Sequence, residues 1–194
     1  MPQKMMVKRY ILVFEFVDGD NMDNLLNHKG RFSVEEVVSI MRQVCEALKY
    51  AHSMRIVHRD LKLSNVIVSK DGEVKVVDFG IARQLKDTIS RLTGRETSGT
   101  FAYMAPEQHL GDADFRSDIY SLGVCMYEML TGELPFKGPD FYLQKEKMAY
   151  VPVKEVITDL PDKVNEIINK CLQVDKEKRY QTIDELMEDL RTIM

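Results

Sequence analysis

His58-Arg59-Asp60-Leu61-Lys62-Leu63-Ser64-Asn65, followed further along by Asp78-Phe79-Gly80, is the stretch that decides how this chain folds. Two valine-rich segments, 66–68 and 74–77, separate the two motifs. An Asp71-Gly72 dipeptide suited to a tight hairpin turn lies between those segments. The hairpin is therefore expected to bring Asn65, before its first strand, close to Asp78, at the end of its second.

The side chains that this hairpin brings together suit one kind of metal. An amide oxygen from Asn65 and a carboxylate from Asp78 form an all-oxygen set, which favours magnesium over zinc. In the same stretch, Asp60 is placed to accept a proton and Lys62 to meet negative charge. The pattern thus predicts a magnesium site with a base and a cation beside it.

Three motifs in order carry a family resemblance. Residues 58–65 resemble the catalytic loop of the eukaryotic-type (Hanks-type) serine/threonine protein kinases, and residues 78–80 resemble their metal-binding triplet. Ala105-Pro106-Glu107 is similar to the motif that closes their activation segment. A lysine two residues after Asp60 resembles the serine/threonine kinases rather than the tyrosine kinases. The implied fold is α+β and mainly α-helical: the large, C-terminal lobe of a kinase, with a small hairpin.

The resemblance assigns the chemistry to four residues. It implies that Asp60 accepts or orients the proton of the substrate hydroxyl and that Lys62 contacts the transferred phosphoryl group. Asn65 and Asp78 are implied to hold Mg²⁺, with Mn²⁺ as the alternative ion. ATP would be the phosphoryl donor, and a serine or threonine of a protein substrate the acceptor.

Residues 10–17 are apolar and β-rich and are predicted to form one strand, which Asp18-Gly19-Asp20 breaks. They resemble the last strand of the kinase small lobe and the hinge, although a plain edge strand is the alternative. The resemblance divides the chain into a small-lobe remnant and hinge, 1–17, and a large lobe, 18–194. It places the gatekeeper at Phe14 and implies that adenine is bound by Glu15, Phe16, Val17 and Ile67.

Other residues have regulatory or structural roles in the resembling family. Arg59 resembles the arginine of kinases that are activated by phosphorylation of the activation loop, here expected within the polar stretch 84–100. The candidate acceptors there are Thr88, Ser90, Thr93, Thr97 and Ser98. The family also implies that His58 and Phe79 stack in an internal apolar column and that Thr100 contacts Asp60 and Lys62. It further implies an ion pair between Glu107 and Arg179, and hydrogen bonds from catalytic-loop amides to Asp118.

Capping signals and helical periodicity predict the helices. The principal ones are a long helix from a Ser33–Glu36 capping box to about Ser53, and a buried central helix over 117–130 that stops at Gly132. Shorter helices are predicted over 21–27, from Pro161 to about Leu172, and from a Thr182–Glu185 cap to Ile193.

Composition indicates one globular domain with a sizeable core. The 194 residues are 44% hydrophobic and 30% charged, and the net charge of -4 gives no reason to expect a nucleic-acid partner. No apolar run approaches the ~20 residues of a membrane span. The three well-separated cysteines predict buried free thiols in a reducing compartment, and hence a cytoplasmic protein.

Parts of a complete kinase are missing from residues 1–194, which contain no Gly-x-Gly-x-x-Gly and no strand lysine in a Val-Ala-x-Lys setting. The chain by itself is therefore expected to be inactive. Three interpretations stay open: a kinase whose small lobe lies elsewhere, a non-catalytic lobe that binds substrates or partners, and a small-molecule phosphotransferase of the kinase-like superfamily. Residues Ala105–Glu107, Asp118 and Arg179 count against the third, and a glycine-rich loop encoded upstream of Met1 would separate the first two.

The same missing parts predict a partner. Segment 10–17 would present an open strand edge, and Ile67 and Phe79 would be exposed where a small lobe and adenine would otherwise cover them. The chain is therefore expected either to bind a small lobe or to self-associate through Tyr10–Val17.

Overall fold

The computed structural model describes residues 15–79 and 98–193, and these residues form a mainly helical domain with one small sheet. The three strands are β1 (Gly19–Asn21), β2 (Val66–Ser69) and β3 (Val74–Val76). The helices of eight or more residues are α1 (Met22–Lys29), α2 (Val34–Ser53), α5 (Phe115–Thr131), α8 (Asp162–Cys171) and α9 (Ile183–Arg191). Shorter helices are α3 (Ser98–Tyr103), α4 (Pro106–His109), α6 (Phe141–Glu146) and α7 (Val153–Val156), with 3₁₀ turns at Leu63–Asn65 and Lys176–Lys178. The predicted mainly helical α+β fold is confirmed.

The predicted hairpin is present. β2 and β3 pair antiparallel, with Val66 opposite Val76 and Val68 opposite Val74. Gly72 has a φ of 84°, the left-handed conformation that the turn requires and that glycine adopts without strain. The backbone amide of Val77 then donates to the carbonyl of Asn65 at 3.0 Å, so the hairpin joins the end of the catalytic-loop motif to the residue before Asp78.

The N-terminal strand prediction is wrong for residues 15–17 and for the expected break at Gly19, and it stays untested for residues 10–14. Residues 10–14 lie outside the described part of the chain, 15–17 form no strand, and the strand begins at Gly19, within the segment expected to break it. Gly19 pairs with Ser69 so closely that a Cβ there would lie 2.1 Å from the carbonyl oxygen of Val68. Because Gly19 has no side chain, the two backbones can approach closely enough to pair. This glycine was expected to interrupt the strand instead.

Helix α2 begins and packs as its sequence predicts. The Ser33 hydroxyl accepts from the Glu36 amide at 3.3 Å, and the Glu36 carboxylate accepts from the Ser33 amide at 2.9 Å, completing the capping box. The apolar face of α2 is buried against α5, α9 and β3, and Val34 at the start of this face is half-buried. Its fully buried members are Val37, Val38, Met41, Val44, Cys45 and Leu48.

Helix α5 is the centre of the core, as predicted. Every residue from Ser117 to Leu130 is buried, and the helix ends at Gly132 with a φ of 77°. Burial of one large aliphatic side chain contributes roughly 1.5–3 kcal/mol, so this helix carries a large share of the folding free energy. It packs closely on α8: a Cβ at Gly123 would lie 2.5 Å from the Cβ of Cys171.

The C-terminal helices also follow their caps. The Thr182 hydroxyl accepts from the Glu185 amide at 3.2 Å, and α9 ends at Arg191, two residues before the predicted end. All three cysteines are buried and free, as expected. Among the described residues, no helix is long and apolar enough to cross a membrane.

One part of the predicted polar loop over 84–100 is helical. Residues 84–97 lie outside the described part of the chain, but α3 begins at Ser98. The carbonyls at the end of this short helix are bound by side chains of α5 and α6, as shown below. Those partners are distant in the sequence, so the local polarity gave no sign of them.

Candidate active site

Asp118, in the first turn of the buried helix α5, fixes the start of the catalytic-loop motif. Its carboxylate accepts from the amides of His58 at 2.8 Å and Arg59 at 2.9 Å, and it lies 2.8 Å from Nε2 of His52. Arg59 has a φ of 65°, an unusual conformation for a residue other than glycine. Because both amides are bound to one buried carboxylate, the surrounding structure holds Arg59 in that conformation.

His58 joins the loop to the end of β3. Its Nε2 donates to the carbonyl of Val77 at 3.1 Å, while its Nδ1 accepts from the Asp60 amide at 3.3 Å. This arrangement requires a neutral imidazole with its proton on Nε2. Burial lowers the pKa of His58, although the nearby Asp118 opposes that shift. The ring also lies 4.6 Å from that of Phe79, so both residues hold the loop in place.

Asp60, Lys62 and Thr100 come together at the centre of the site. Nζ of Lys62 lies 3.3 Å from a carboxylate oxygen of Asp60 and donates to Oγ1 of Thr100 at 3.2 Å. All three side chains are half-buried, so the charges of Asp60 and Lys62 are only partly screened and remain accessible to a substrate. The structure thus places an acceptor for a proton directly beside a cation.

Asn65 and Asp78 supply oxygens of the kind that suits magnesium. Nδ2 of Asn65 donates to the carbonyl of Asp60 at 2.8 Å, and no described residue donates to its Oδ1, which fits a metal-binding role. Asp78 presents an exposed carboxylate from a backbone with a φ of 59°. In the described part of the chain, no cluster of three or more histidine, cysteine, aspartate or glutamate side chains could hold a metal. An ion at Asn65 and Asp78 would therefore depend on water and substrate phosphates for its other ligands.

Of the predicted adenine-binding residues, Ile67 lies in β2 of the hairpin, whereas Glu15, Phe16 and Val17 form no strand. Phe16 is 87% exposed, and Glu15 is also exposed. Lys75 faces Ile67 across the hairpin, and its Nζ lies 3.9 Å from the Glu15 carboxylate. Phe14 lies outside the described residues. Ile67 and Phe79 are only half-buried and thus less exposed than predicted, because Phe79 packs on His58 and Ile67 lies in the middle strand of the sheet.

A buried ion pair anchors the end of the segment that follows Thr100. The Arg179 guanidinium donates twice to the Glu107 carboxylate, at 2.7 and 2.8 Å. The same carboxylate accepts from the hydroxyl of Ser117 at 2.7 Å, which connects the pair to the start of α5. Gln108 adds a second link, since its side chain donates to the carbonyl of Arg59 at 3.1 Å.

The phosphorylation candidates are not located by the structure. Thr88, Ser90, Thr93 and Thr97 lie outside the described residues, as does the side chain of Ser98. Pairing of a phosphate with Arg59 therefore stays a prediction.

Residues 4–190 match the protein kinase domain family. The chain belongs to that family. Three curated relatives are serine/threonine-protein kinases by name. The probable kinase CPE1738 of Clostridium perfringens is 36% identical over 186 residues, which are 94% of this chain and 27% of the relative.

The PknB kinases give the same picture. The probable PknB of Bifidobacterium longum is 38% identical over 192 residues, covering 94% of this chain and 27% of the relative. PknB of Mycolicibacterium smegmatis is 38% identical over 184 residues, covering 92% of this chain and 29% of the relative. The chain thus spans less than a third of the length of the curated relatives it matches. The family resemblance expected from the three motifs is confirmed.

Sequence reasoning missed several residues around the kinase site. His52 and Gln108 contact Asp118 and Arg59 over distances that no local motif reveals. Lys145 did leave a weak signal: it lies four residues after Phe141 in α6, which places it on the same helix face as an apolar residue.

Proposed function

We propose that this chain is the large lobe of a serine/threonine protein kinase that transfers the γ-phosphoryl group of ATP to serine or threonine residues of proteins. The observation that supports this most strongly is that the Asp60 carboxylate and the Thr100 hydroxyl both lie within hydrogen-bonding distance of the Lys62 ammonium group. The family and its serine/threonine kinase relatives support the same conclusion.

In this proposal Asp60 accepts the proton that leaves the substrate hydroxyl as the oxygen attacks the γ-phosphorus. Lys62 lies beside it and offsets negative charge on the transferred group. Asn65 and Asp78 hold Mg²⁺, or alternatively Mn²⁺, which when bound neutralises charge on the ATP phosphates. Asp118 and His58 keep the loop rigid, so that the base does not need to reorganise during the reaction.

ATP binding extends to the hinge in the same proposal. The backbone of Glu15, Phe16 and Val17 would bind adenine beside Ile67. Residues 1–194 contain no glycine-rich loop or strand lysine to hold the phosphates, so we propose that the chain alone turns over slowly or not at all and needs a small lobe. Three buried free thiols support a reducing, cytoplasmic setting for the reaction.

A chimera tests the function. The chain is fused to the small lobe of a PknB relative, and phosphate transfer from ATP to a serine/threonine peptide mixture is measured. Asp60→Asn removes the base at constant volume and is expected to lower turnover roughly 10²–10⁴-fold. Asp159→Asn is the matched control, because that carboxylate is exposed and lies in a turn.

Each outcome distinguishes one alternative. Near-normal transfer by a well-folded Asp60→Asn chimera would refute the role of Asp60. A folded chimera that binds peptide but transfers no phosphate would favour the non-catalytic binding lobe. Phosphorylation of small molecules in preference to peptides would favour the third interpretation. Full activity of residues 1–194 without a small lobe would refute the dependence on one.

A further inference from the structure

Lys145, in α6, is a buried lysine with no role in the kinase mechanism described above. It is 1% exposed, and among the described residues no carboxylate lies within salt-bridge distance of its Nζ. Burial of an unpaired ammonium is costly, so such a group requires other partners. Burial lowers the pKa of Lys145 to about 7, and only the more distant Glu107 opposes this shift.

The partners of Lys145 are backbone carbonyls at the end of α3. Its Nζ donates to the carbonyl of Phe101 and, at 2.6 Å, to that of Met104. Between them, the carbonyl of Tyr103 accepts from the hydroxyl of Ser121 at 2.9 Å. The last carbonyls of a helix have no partners within the helix, and a cation near them interacts favourably with the helix dipole. Lys145 and Ser121 together therefore cap the C-terminus of α3.

Aromatic rings around Lys145 offset part of the cost of burying its ammonium. The rings of Tyr120, Phe136 and Phe141 lie 5.9, 6.0 and 5.7 Å from its Nζ, within the range of cation–π attraction. The Arg179 guanidinium lies 4.9 Å from the ring of Tyr120. His109 stacks against the side chain of Phe101, at 5.8 Å between ring centroids. An apolar side chain would fill this space, but the carbonyls of Phe101 and Met104 would each lose the hydrogen bond from Lys145.

The capped helix leads directly into the active site. Thr100 precedes Phe101, and its hydroxyl accepts from Lys62, whose Nζ lies 3.3 Å from the Asp60 carboxylate. Displacement of the end of α3 would therefore move Thr100 away from Lys62. The result would be a less ordered ammonium beside the proposed base.

We propose that Lys145 is a positioning residue for phosphotransfer: it holds the C-terminus of α3 so that Thr100 orients Lys62 beside Asp60. The inference rests on the proposed kinase function. Lys145 itself touches neither Asp60 nor Lys62 and acts only through α3.

The first test measures α3 directly and does not depend on kinase activity. Hydrogen exchange is followed in the 194-residue chain for the amides of residues 98–107 other than Pro106, in wild type, Lys145→Met, Lys145→Gln and Lys147→Met. Loss of two hydrogen bonds to Lys145 is expected to lower protection of these amides roughly tenfold or more in Lys145→Met, with a smaller loss in Lys145→Gln, which keeps a donor. Lys147→Met is the matched control, since Lys147 is an exposed lysine at the end of the same helix.

Three results of this exchange test would overturn the proposal. One is unchanged protection of residues 98–107 in Lys145→Met. Another is an equal loss of protection in α5 and in α3, because Lys145 would then act only on overall stability. The third is global unfolding of both Lys145 variants, because Lys145 would then be needed for the stability of the whole domain.

The second test asks whether the effect reaches the chemistry. In the chimera with a small lobe, Lys145→Met is expected to lower kcat/KM for the peptide roughly tenfold while leaving KM for ATP within about twofold of wild type. If Lys145→Met changed kcat/KM for the peptide and KM for ATP by equal factors, or changed neither, the positioning role would be overturned. If Asp60→Asn kept full activity, the proposed kinase mechanism would fail, but the exchange result would still decide whether Lys145 holds α3.

Discussion

Replacement of Glu107 by Gln breaks the charge balance of the most completely buried ion pair of the described residues. The side chains of Glu107 and Arg179 are 11% and 0% exposed. Arg179 donates to both oxygens of Glu107, and also to the carbonyls of Gln173 at 2.6 Å, Val174 at 2.9 Å and Arg116 at 3.1 Å. A Gln side chain keeps the volume of Glu107 but leaves the guanidinium without a counter-ion.

Removal of one partner from a buried ion pair costs about 3–5 kcal/mol, because the remaining charge is left uncompensated. The three carbonyls that Arg179 retains place the expected loss near the lower end, at about 3 kcal/mol. For a chain of this length, a change of that size corresponds to a fall in Tm of about 6–12 °C. Glu177→Gln is the matched control, because Glu177 pairs with Arg116 at 2.8 Å but is 68% exposed. Exposed pairs are worth about 0–1 kcal/mol.

The assay is urea unfolding of the wild type and both variants at pH 7, repeated at lower pH. Burial alone would raise the pKa of Glu107, but hydrogen bonds from Arg179 and Ser117 outweigh it and lower the pKa below its ordinary value of 4.5. The stabilisation is therefore present above pH 4.5 and is lost as the pH falls through the lowered pKa. The difference between wild type and Glu107→Gln should shrink in that range. A cost at pH 7 within about 1 kcal/mol of the control would refute the reasoning.

Two further substitutions test the core. Gly123→Ala is expected to destabilise the chain by about 1–3 kcal/mol in thermal or urea unfolding, because its Cβ would meet the Cβ of Cys171 at 2.5 Å and force α5 and α8 apart; a Tm equal to or above that of wild type would contradict this packing. Burial raises the pKa of Glu128 to about 7, so the folded state holds a proton that the unfolded state has released between pH 4.5 and 7. The stability of wild type relative to Glu128→Gln should therefore fall by up to roughly 1.4 kcal/mol per pH unit across that range, and a difference that does not change with pH would disprove it.

The features predicted correctly from the sequence are those that depend on residues close together along the chain. The capping box of Ser33 and Glu36 joins residues three positions apart, and the hairpin turn at Asp71-Gly72 joins strands that flank it directly. Gly132 ends α5 because its own backbone adopts a positive φ. In each case the physical cause lies within a few residues, so the pattern was sufficient.

Contacts between distant segments were accessible only through the family resemblance. The hydrogen bonds from His58 and Arg59 to Asp118 join residues about sixty positions apart, and no property of either segment alone indicates them. The same holds for Thr100 and Lys62. The resemblance did not extend to β1, whose pairing depends on the close approach of Gly19 to Val68, or to the helical conformation of α3.

Lys145 shows why the remaining features could not be predicted. A lysine on an apolar helix face usually extends its ammonium to water along the protein surface, so the spacing from Phe141 does not distinguish an exposed end from a buried one. The difference depends on whether acceptors lie where the side chain ends. Here the carbonyls of Phe101, in α3, and Met104, just after it, lie there, and the hydrogen bonds from Lys145 satisfy carbonyls at the end of that helix. Helix and lysine therefore stabilise each other across some forty residues of sequence, and neither could be inferred without the other.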